Sequence, residues 1–353
     1  MVKIEAQVDL APCTTLGVGG KAAHYARVTH TAELAETLAW ASSRKLGVRV
    51  LGGGSNIVVA DDGFPGLVIE IASRGVTVEE NGDTVEVRAA AGEPWDEFVA
   101  DMVSRGYQGI ECLSGIPGRV GATPIQNVGA YGQDVSETIT RVVAHDSQDH
   151  GERVFSNRDC RFSYRDSSFK SLETGRFIVT EVTFRLTPGG APAIRYAELE
   201  RRFEQLGKRT PSLSEVRETV LQLRRSKSMV LDTSDPNSRS CGSFFVNPVL
   251  NASQFAEFSE RSQGEGAVPS FPQQDSRVKL SAGWLIEHAG FPRGTRDGAV
   301  GLSTKHALAL VAYDGASAAD VMRFARRVQH GVQARFGVHL EPEPVFWSAA
   351  DDL

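Results

Sequence analysis

Residues 113–132 read LSGIPGRVGATPIQNVGAYG, and this stretch limits the possible folds more than any other. Five glycines and two prolines in twenty residues exclude a regular helix. They also exclude a central strand, because proline has no N–H for a ladder and glycine loses the most entropy on ordering. Loops of this length inside a domain are commonly functional or disordered. The interleaved Ile116, Val120, Ile125 and Val128 favour an ordered loop packed against something. A second glycine cluster, Gly52-Gly53-Gly54-Ser55-Asn56, stands out in a chain with a high glycine content of 35 residues.

The chain has 353 residues, which at about 150 per domain suggests two to three domains. With 41% hydrophobic and 23% charged residues it has the composition of a globular protein and is not a disordered one. A net charge of −6 argues against nonspecific nucleic-acid binding, which calls for a basic excess. No run approaches the 18 or so apolar residues of a membrane span. The first twelve residues carry Glu5 and Asp9 and no apolar core, so no export signal is expected. Cys13, Cys112, Cys160 and Cys241 are far apart and form no CxxC. They read as small buried hydrophobes in a reducing cytoplasm, with no metal site.

Periodicity predicts helices over residues 31–47, 93–105, 196–206, 213–227, 282–289 and 318–336. A capping-box pattern marks one start, Ser212-x-x-Glu215, and a stripe marks another helix, Val321, Phe324, Val328, Val332 and Phe336. Strands are expected at 48–51, 57–60, 67–72, 84–90, 141–144, 177–186 and 307–312, followed by an extended segment over 338–347. Residues 228–242 and 261–276 read as polar loops. Pro188-Gly189-Gly190-Ala191-Pro192 is the best linker candidate. The mixture predicts α+β domains with a break near 188–195.

The Gly52–Asn56 loop is not a dinucleotide fingerprint, since it leads into a strand and Ile57 fills the last glycine position. It is not a Walker A loop either, because no Lys-Ser/Thr follows the glycines. Its successive N–H groups could cradle phosphate oxygens, or it could be a tight β-turn. In the longer loop glycines permit close backbone approach to a ligand, and Gln126 and Asn127 offer donors and acceptors to a heterocycle edge. Two such loops suggest one large, flat ligand gripped from two sides; a structural Ω-loop is the plainer alternative.

Taken together, Gly52-Gly53-Gly54-Ser55-Asn56 and the run from Gly115 to Gly132 resemble the FAD-binding half of the UDP-N-acetylenolpyruvoylglucosamine reductase family. Three later segments agree and keep family order: Tyr164-Arg165-Asp166-Ser167-Ser168-Phe169-Lys170, Gly242-Ser243-Phe244-Phe245-x-Asn247-Pro248 and Ala282-Gly283-Trp284-Leu285-Ile286-Glu287. The resemblance covers nearly the whole chain and points to the longer class, with a substrate-covering Tyr loop. It implies a two-part FAD-binding domain of the vanillyl-alcohol-oxidase (PCMH) type, at 1–72 and 73–190. A C-terminal α+β substrate-binding domain follows at 195–340, and residues 341–353 return to the first part. The implied enzyme is a monomeric cytoplasmic oxidoreductase of peptidoglycan precursor synthesis, serving cell-wall biogenesis, cell shape and division. It reduces the enolpyruvyl ether of a UDP-sugar to UDP-N-acetylmuramate with NADPH and noncovalent FAD, and has no nucleic-acid or membrane partner.

The resemblance also assigns residues. FAD contacts are expected from Gly52, Gly53, Gly54, Ser55 and Asn56, and from Ser114, Gly115, Ile116, Gly118, Gly121, Ala122, Gln126, Asn127, Gly129, Ala130 and Tyr131. Arg165 takes the role of gripping the substrate carboxylate, where charge builds after hydride arrives. From residues alone it would be a surface arginine paired with Asp166 or Glu173. Ser243 matches the proton donor, with Phe244 and Phe245 placed to exclude water. Glu343 matches the carboxylic partner, able to donate a hydrogen bond if burial keeps it protonated. Tyr196, Lys227 and Asn247 match positions on the UDP-sugar, Lys279 is expected at the diphosphate, and Arg224 belongs to a basic cluster with Arg225 and Lys227. Where the family commonly has an aliphatic residue and then Arg after the glutamate, Pro344 and Val345 stand here. Pro344 calls for a strand edge.

Two other readings differ in chemistry. An oxidase of the same FAD fold often links flavin to His or Cys, yet neither Gly-rich loop contains His. A noncatalytic nucleotide-sugar sensor would need none of Arg165, Ser243 and Glu343.

Overall fold

Helix starts form where the capping residues stand. Ser212 Oγ accepts the Glu215 N–H at 3.3 Å, and the Glu215 carboxylate accepts the Ser212 N–H at 2.9 Å, opening the helix Leu213–Ser226. Ser317 and Asp320 make the same reciprocal pair at the start of the helix Ala318–Phe336. That helix buries its whole predicted stripe and stops at Gly337, whose φ of 71° only glycine adopts readily. These elements belong to a computed structural model that describes residues 2–348. It divides into two compact units, one of residues 2–8, 22–53 and 65–230, the other of residues 9–21, 54–64 and 231–348.

The first unit holds two sheets. One has the strand order Ile4–Asp9, Lys21–Val28, Phe64–Ile71, Val48–Leu51, the last two parallel. The other is antiparallel, in the order Glu152–Ser156, Ile139–Asp146, Phe177–Pro188, Thr84–Ala90, Val76–Asn81. Helices Thr31–Ser43 and Trp95–Ser104 pack their apolar faces into one core with Leu67, Ile69, Val87, Val142 and Phe184. In the second unit, helices Ala252–Arg261, Ala282–His288 and Ala318–Phe336 enclose a core containing Phe244, Phe245, Leu285, Val300 and Leu310. Its C-terminal strand Val345–Trp347 pairs in parallel with Ile57–Val59. Pro344 sits just before that strand, where it interrupts no ladder bond. Residues 349–353, the rest of the segment expected to return, lie outside the described residues.

Several expectations shift. The division falls at Val230/Leu231, and the Pro188–Pro192 stretch lies inside the first unit. The reason is packing: helices Ala197–Gln205 and Leu213–Ser226 bury Leu199, Phe203, Val216 and Val220 against Cys112, beside Tyr131 and Ile194. The strand expected at 307–312 shortens to Leu310–Ala312. Strands Ile4–Asp9, Val76–Asn81 and Glu152–Ser156 escape the sequence pattern because their largely exposed residues include Ala, Glu or Arg in place of a strong apolar alternation, and Lys21–Val28 because two of its three buried residues are alanine. Cys112, Cys160 and Cys241 are buried free thiols. No helix is long and apolar enough to cross a membrane.

The loop 113–132 is ordered, as its aliphatic residues suggest. Val120 is fully buried, and Ile116, Ile125 and Val128 pack against the first core. Short 3-10 turns at Glu111–Leu113 and Val120–Ala122 and a two-residue hairpin of Gly129–Ala130 with Gln133–Asp134 replace regular structure. Backbone bonds tie it down: Trp95 N–H donates to Gly118 O at 3.1 Å and Gly121 N–H to Ala91 O at 2.9 Å. A Cβ on Gly53 would lie 2.6 Å from Gly118 Cα, so the two Gly-rich loops touch backbone to backbone.

Two predictions follow from this packing. Gly53→Ala must push the loops apart and is expected to destabilise by about 1–3 kcal/mol, the usual cost of overpacking. Gly52→Ala meets only Ala122 and Arg119 at 3.7–3.9 Å and should leave the thermal midpoint nearly unchanged. Equal melting of the two variants would show that the loop contact does not constrain the fold.

The second concerns Asp146, at the end of a central strand, whose side chain has no solvent exposure. It accepts Arg176 Nε at 3.1 Å and a terminal Arg176 nitrogen at 2.8 Å, along with the Gln148 and Asp149 N–H groups. The Arg176 guanidinium holds its carboxyl far below the usual range. A depressed folded-state pKa gives stability that is present above the unfolded value of about 3.9 and lost as pH falls through the folded value. Asp146→Asn should therefore melt lower than the parent at pH 7, with the two curves converging as the pH drops below about 4. Parallel curves across thermal melts from pH 7 to 3 would refute the assignment.

Candidate active site

In the first unit the loop contact leaves a row of donors. The N–H groups of Gly52, Gly53, Ile116 and Gly118 make no hydrogen bond among the described residues. Half-buried, unbonded N–H groups on two abutting loops form the concavity that takes an anion such as a phosphate. The glycines serve this indirectly. Gly53 is bare so that it can rest on Gly118, Gly121 so that it can rest on Ala91, and Gly115 because Leu221 and Arg224 crowd it. The side chain of Asp134 occupies the Cβ direction of Gly129, which is thus constrained by its own hairpin. At Gly53, Gly115, Gly121 and Gly129 the absence of a side chain also serves close approach of the chain to itself.

Two side chains expected at the cofactor are engaged within the protein. Ser114 Oγ, fully buried, donates to Glu111 O at 2.6 Å. Asn127, at a φ of 47°, donates through Nδ2 to Ser163 O at 3.0 Å and accepts the Ser136 N–H at 3.1 Å. Both ends of its amide thus knit the loop.

Asn127 also positions Arg165. Ser163 and Asp166 exchange backbone bonds at 3.0 and 3.3 Å, closing a tight turn with Arg165 at a φ of 55°. Left-handed backbone is costly for a residue with a Cβ and persists only when the surroundings impose it. Here they do: Asn127 grips Ser163, Ser167 Oγ donates to Ile125 O at 2.6 Å, and Lys170 Nζ donates to Arg165 O at 2.9 Å. The guanidinium donates to Gly129 O at 2.8 Å. Asp166 is engaged by Ser167 and Ser171, and Glu173 by Arg176, so the surface pairings considered for Arg165 are not its partners.

Residues far apart in sequence meet beside this loop. The Tyr131 and Tyr196 rings stand edge to face, with centroids 5.5 Å apart, and Lys227 Nζ lies 5.8 Å from the Tyr131 ring. Burial, with Glu198 and Tyr196 adding to it and Arg224 opposing it, pushes the Tyr131 phenol up to about 12. It therefore stays protonated at neutral pH. Lys227 pairs with Glu198 at 2.5 Å. Arg224 is buried, donates to Met229 O at 2.6 Å and leaves Nε without a partner, whereas Arg225 is exposed. The sequence-level basic cluster thus splits into an inward and an outward member. Asp96 fastens the helix that carries Arg224: it accepts two bonds from Arg217, at 2.6 and 3.0 Å, and the Gly115 N–H at 2.6 Å. Burial alone raises its pKa, but these bonds outweigh it and hold the carboxyl low.

The second unit brings together Ser243, Glu343 and Asn56. Glu343 N–H donates to Phe244 O at 2.9 Å, and Val246 N–H to Glu341 O at 3.0 Å. These bonds lay residues 341–343 alongside 244–246 and set Ser243 and Glu343 on facing segments. Asn56 Nδ2 donates to Glu343 O at 3.3 Å, and Val345 N–H to Asn56 O at 2.9 Å. Phe244 and Phe245 are buried as expected, and Ser243 is half-buried between them and Gly242. Cys241 is pushed up to about 12, by burial first and by the Glu343 charge as well. Asn247 accepts the Ala282 N–H at 2.9 Å, which joins two of the sequence motifs. Lys279 stands in the middle strand of a three-stranded sheet, 5.8 Å from the Phe271 ring. Gly54, Ser55 and Asn56 belong to this unit and Gly52 and Gly53 to the first, so the short loop is where the chain passes between them.

Sequence reasoning missed Asp96, Arg217, Glu111 and Gln133. The one available signal was Glu111, a lone acid in the apolar run Ile110-Glu111-Cys112-Leu113. Among the described residues no group of His, Cys, Asp and Glu could hold a metal ion.

Comparison with known proteins agrees with this arrangement. Residues 22–146 match the model of a FAD binding domain family, and residues 235–347 match that of the UDP-N-acetylenolpyruvoylglucosamine reductase C-terminal domain. The chain is 50% identical over 345 residues to UDP-N-acetylenolpyruvoylglucosamine reductase of Thermobifida fusca, covering 96% of each protein. It is 48% identical to the reductase of Salinispora arenicola, over 98% of this chain and 96% of that one. The crystal structure of the reductase from Thermus caldophilus superposes with a TM-score of 0.67 at 26% identity, over 99% of this chain and 100% of that one. On near-full-length identity of this size, the chain belongs to the UDP-N-acetylenolpyruvoylglucosamine reductase family.

Proposed function

We infer that the chain reduces the enolpyruvyl ether of UDP-N-acetylglucosamine to UDP-N-acetylmuramate, with NADPH as reductant and FAD as cofactor, in peptidoglycan precursor synthesis. The observation that carries this reading is the 50% identity, over 96% of both chains, to a reductase of that name. The unbonded N–H groups of Gly52, Gly53, Ile116 and Gly118 fit a cofactor diphosphate, and these residues would hold it. When bound there, FAD would supply hydride-transfer chemistry, with NADPH as the reductant and the terminal methylene carbon of the substrate as acceptor.

The remaining chemistry belongs to the chain. Hydride arrival leaves negative charge on the carbon bearing the carboxylate. Arg165, rigidly held in its imposed turn, offers a fixed cation to that carboxylate, and preorganised charge is the largest usual catalytic contribution. Ser243 delivers the proton to the carbon through its hydroxyl, on the dry side made by Phe244 and Phe245. Glu343 steadies the developing charge. Tyr196, Arg224, Lys227, Asn247 and Lys279 bind the UDP-sugar. The same reading makes the enzyme a cytoplasmic monomer of the class with a substrate-covering Tyr loop, acting on a small nucleotide-sugar and on neither nucleic acid nor membrane.

Ser243→Ala separates the two half-reactions. Flavin reduction by NADPH is expected to run at close to the normal rate, and reoxidation by the enolpyruvyl substrate to slow by about 10²–10⁴-fold, the usual worth of a positioned acid. Rapid-mixing absorbance of the flavin band reads both. Equal slowing of both steps would make Ser243 structural, and no slowing would assign the proton to another group. Arg165→Lys keeps the charge but loses the planar fork. Turnover should fall by about tenfold or more, the scale of one charge-assisted bond. Steady-state rates near those of the parent enzyme would return Arg165 to an ordinary surface role.

A further inference from the structure

Glu111 is a fully buried acid that the reaction does not use. No Lys, Arg or His pairs with it among the described residues. A buried charge without a counter-ion is costly unless several hydrogen bonds replace its water. Its carboxylate has three. Oε2 accepts the Gly109 N–H at 2.8 Å, and Oε1 accepts both Gln133 Nε2 at 2.9 Å and the Ala193 N–H at 3.1 Å.

The two partners of Oε1 lead to the two tyrosines. Gln133 pairs with Ala130 across the hairpin whose turn is Tyr131-Gly132. Ala193 lies three residues before Tyr196. The two segments also touch directly, for a Cβ on Gly132 would lie 3.2 Å from Arg195 Cβ and 3.4 Å from the Tyr196 nitrogen. Gln133 locks the arrangement from its other end, where Oε1 accepts the Cys112 N–H at 2.8 Å. One carboxylate oxygen therefore sets the spacing of two chain segments that each present a tyrosine.

We propose that Glu111 is a positioning residue that fixes the Tyr131–Tyr196 pair, and through it the seat of the nucleotide-sugar. The inference rests on the reading of Tyr196 as a substrate-binding residue. Glu111 touches neither substrate nor cofactor. Its effect is on substrate affinity, and the carboxylate form is required because all three partners are donors.

Glu111→Gln tests this with little change of shape. Its amide NH2 must face either the Gly109 N–H or the Gln133 and Ala193 donors, so a donor meets a donor in either orientation. In the purified flavoprotein, KM for the enolpyruvyl substrate should rise by about tenfold, the scale of a lost charge-assisted bond, while kcat and the rate of flavin reduction by NADPH stay within about threefold. If the effect runs through the tyrosines, it must shrink below about twofold when Glu111→Gln is made in a Tyr196→Ala background. An unchanged KM in folded Glu111→Gln, or effects that multiply in the double variant, would overturn the proposal. Should Glu111→Gln fail to fold, Gln133→Met removes one of the three bonds to Glu111, together with the bond from the Cys112 N–H, and is read by the same criteria. If that variant also fails to fold, the network is structural and the proposal falls. Parent protein that reduces no enolpyruvyl substrate would instead defeat the assigned reaction, independently of Glu111.

Discussion

The backbone contact between Gly53 and Gly118 is the constraint on which the first unit depends. With no side chain on either residue, two loops from different parts of the chain come within van der Waals reach. The N–H groups of Gly52, Gly53, Ile116 and Gly118 are left without partners among the described residues. The same contact aligns the start of helix Trp95–Ser104, because Trp95 donates to the carbonyl of Gly118. The helix then places Asp96 where it can hold both Gly115 and Arg217. A loop that looks like a ligand grip in sequence is first a joint between pieces of backbone, and its capacity to hold a ligand follows from how that joint is made.

Half-buried and buried carboxylates fasten this loop where a regular ladder would do so elsewhere. A twenty-residue stretch rich in glycine and proline cannot satisfy its own polar groups. Asp96 and Glu111 each collect several N–H donors in or beside this stretch, from backbone, amide or guanidinium. The irregular loop thereby becomes rigid enough to impose left-handed backbone on Asn127, Tyr131 and Arg165. Strain of this kind at a reactive arginine is consistent with preorganisation, since the guanidinium is held in place before any substrate arrives.

In the second unit the same end is reached by strand pairing. Residues 341–343 and 244–246 exchange backbone bonds, so Ser243 and Glu343, a hundred residues apart, sit on adjacent segments. The phenylalanines that follow Ser243 belong to the core and not to the surface. The serine is therefore anchored by residues whose burial is itself favourable, by about 1.5–3 kcal/mol for each large apolar side chain.

Local chemistry was legible in the residues alone. The capping pair at Ser212, the stripe from Val321 to Phe336, and the order of the Gly-rich loop all depend on neighbours a few positions away, and they stand as read. The family, and with it the reaction, was also legible, because long irregular motifs carry more information than any helix. The partners of those motifs were not. Nothing in the sequence says that Asn127 holds Ser163, that the helices after Pro192 pack on the loop and join the first unit, or that Glu111 ties Gln133 to Ala193. Such contacts join positions tens of residues apart, where spacing along the chain carries no distance information. Only the folded structure decides which buried donor each carboxylate finds, because that choice is set by how the elements pack and not by the identity of either residue.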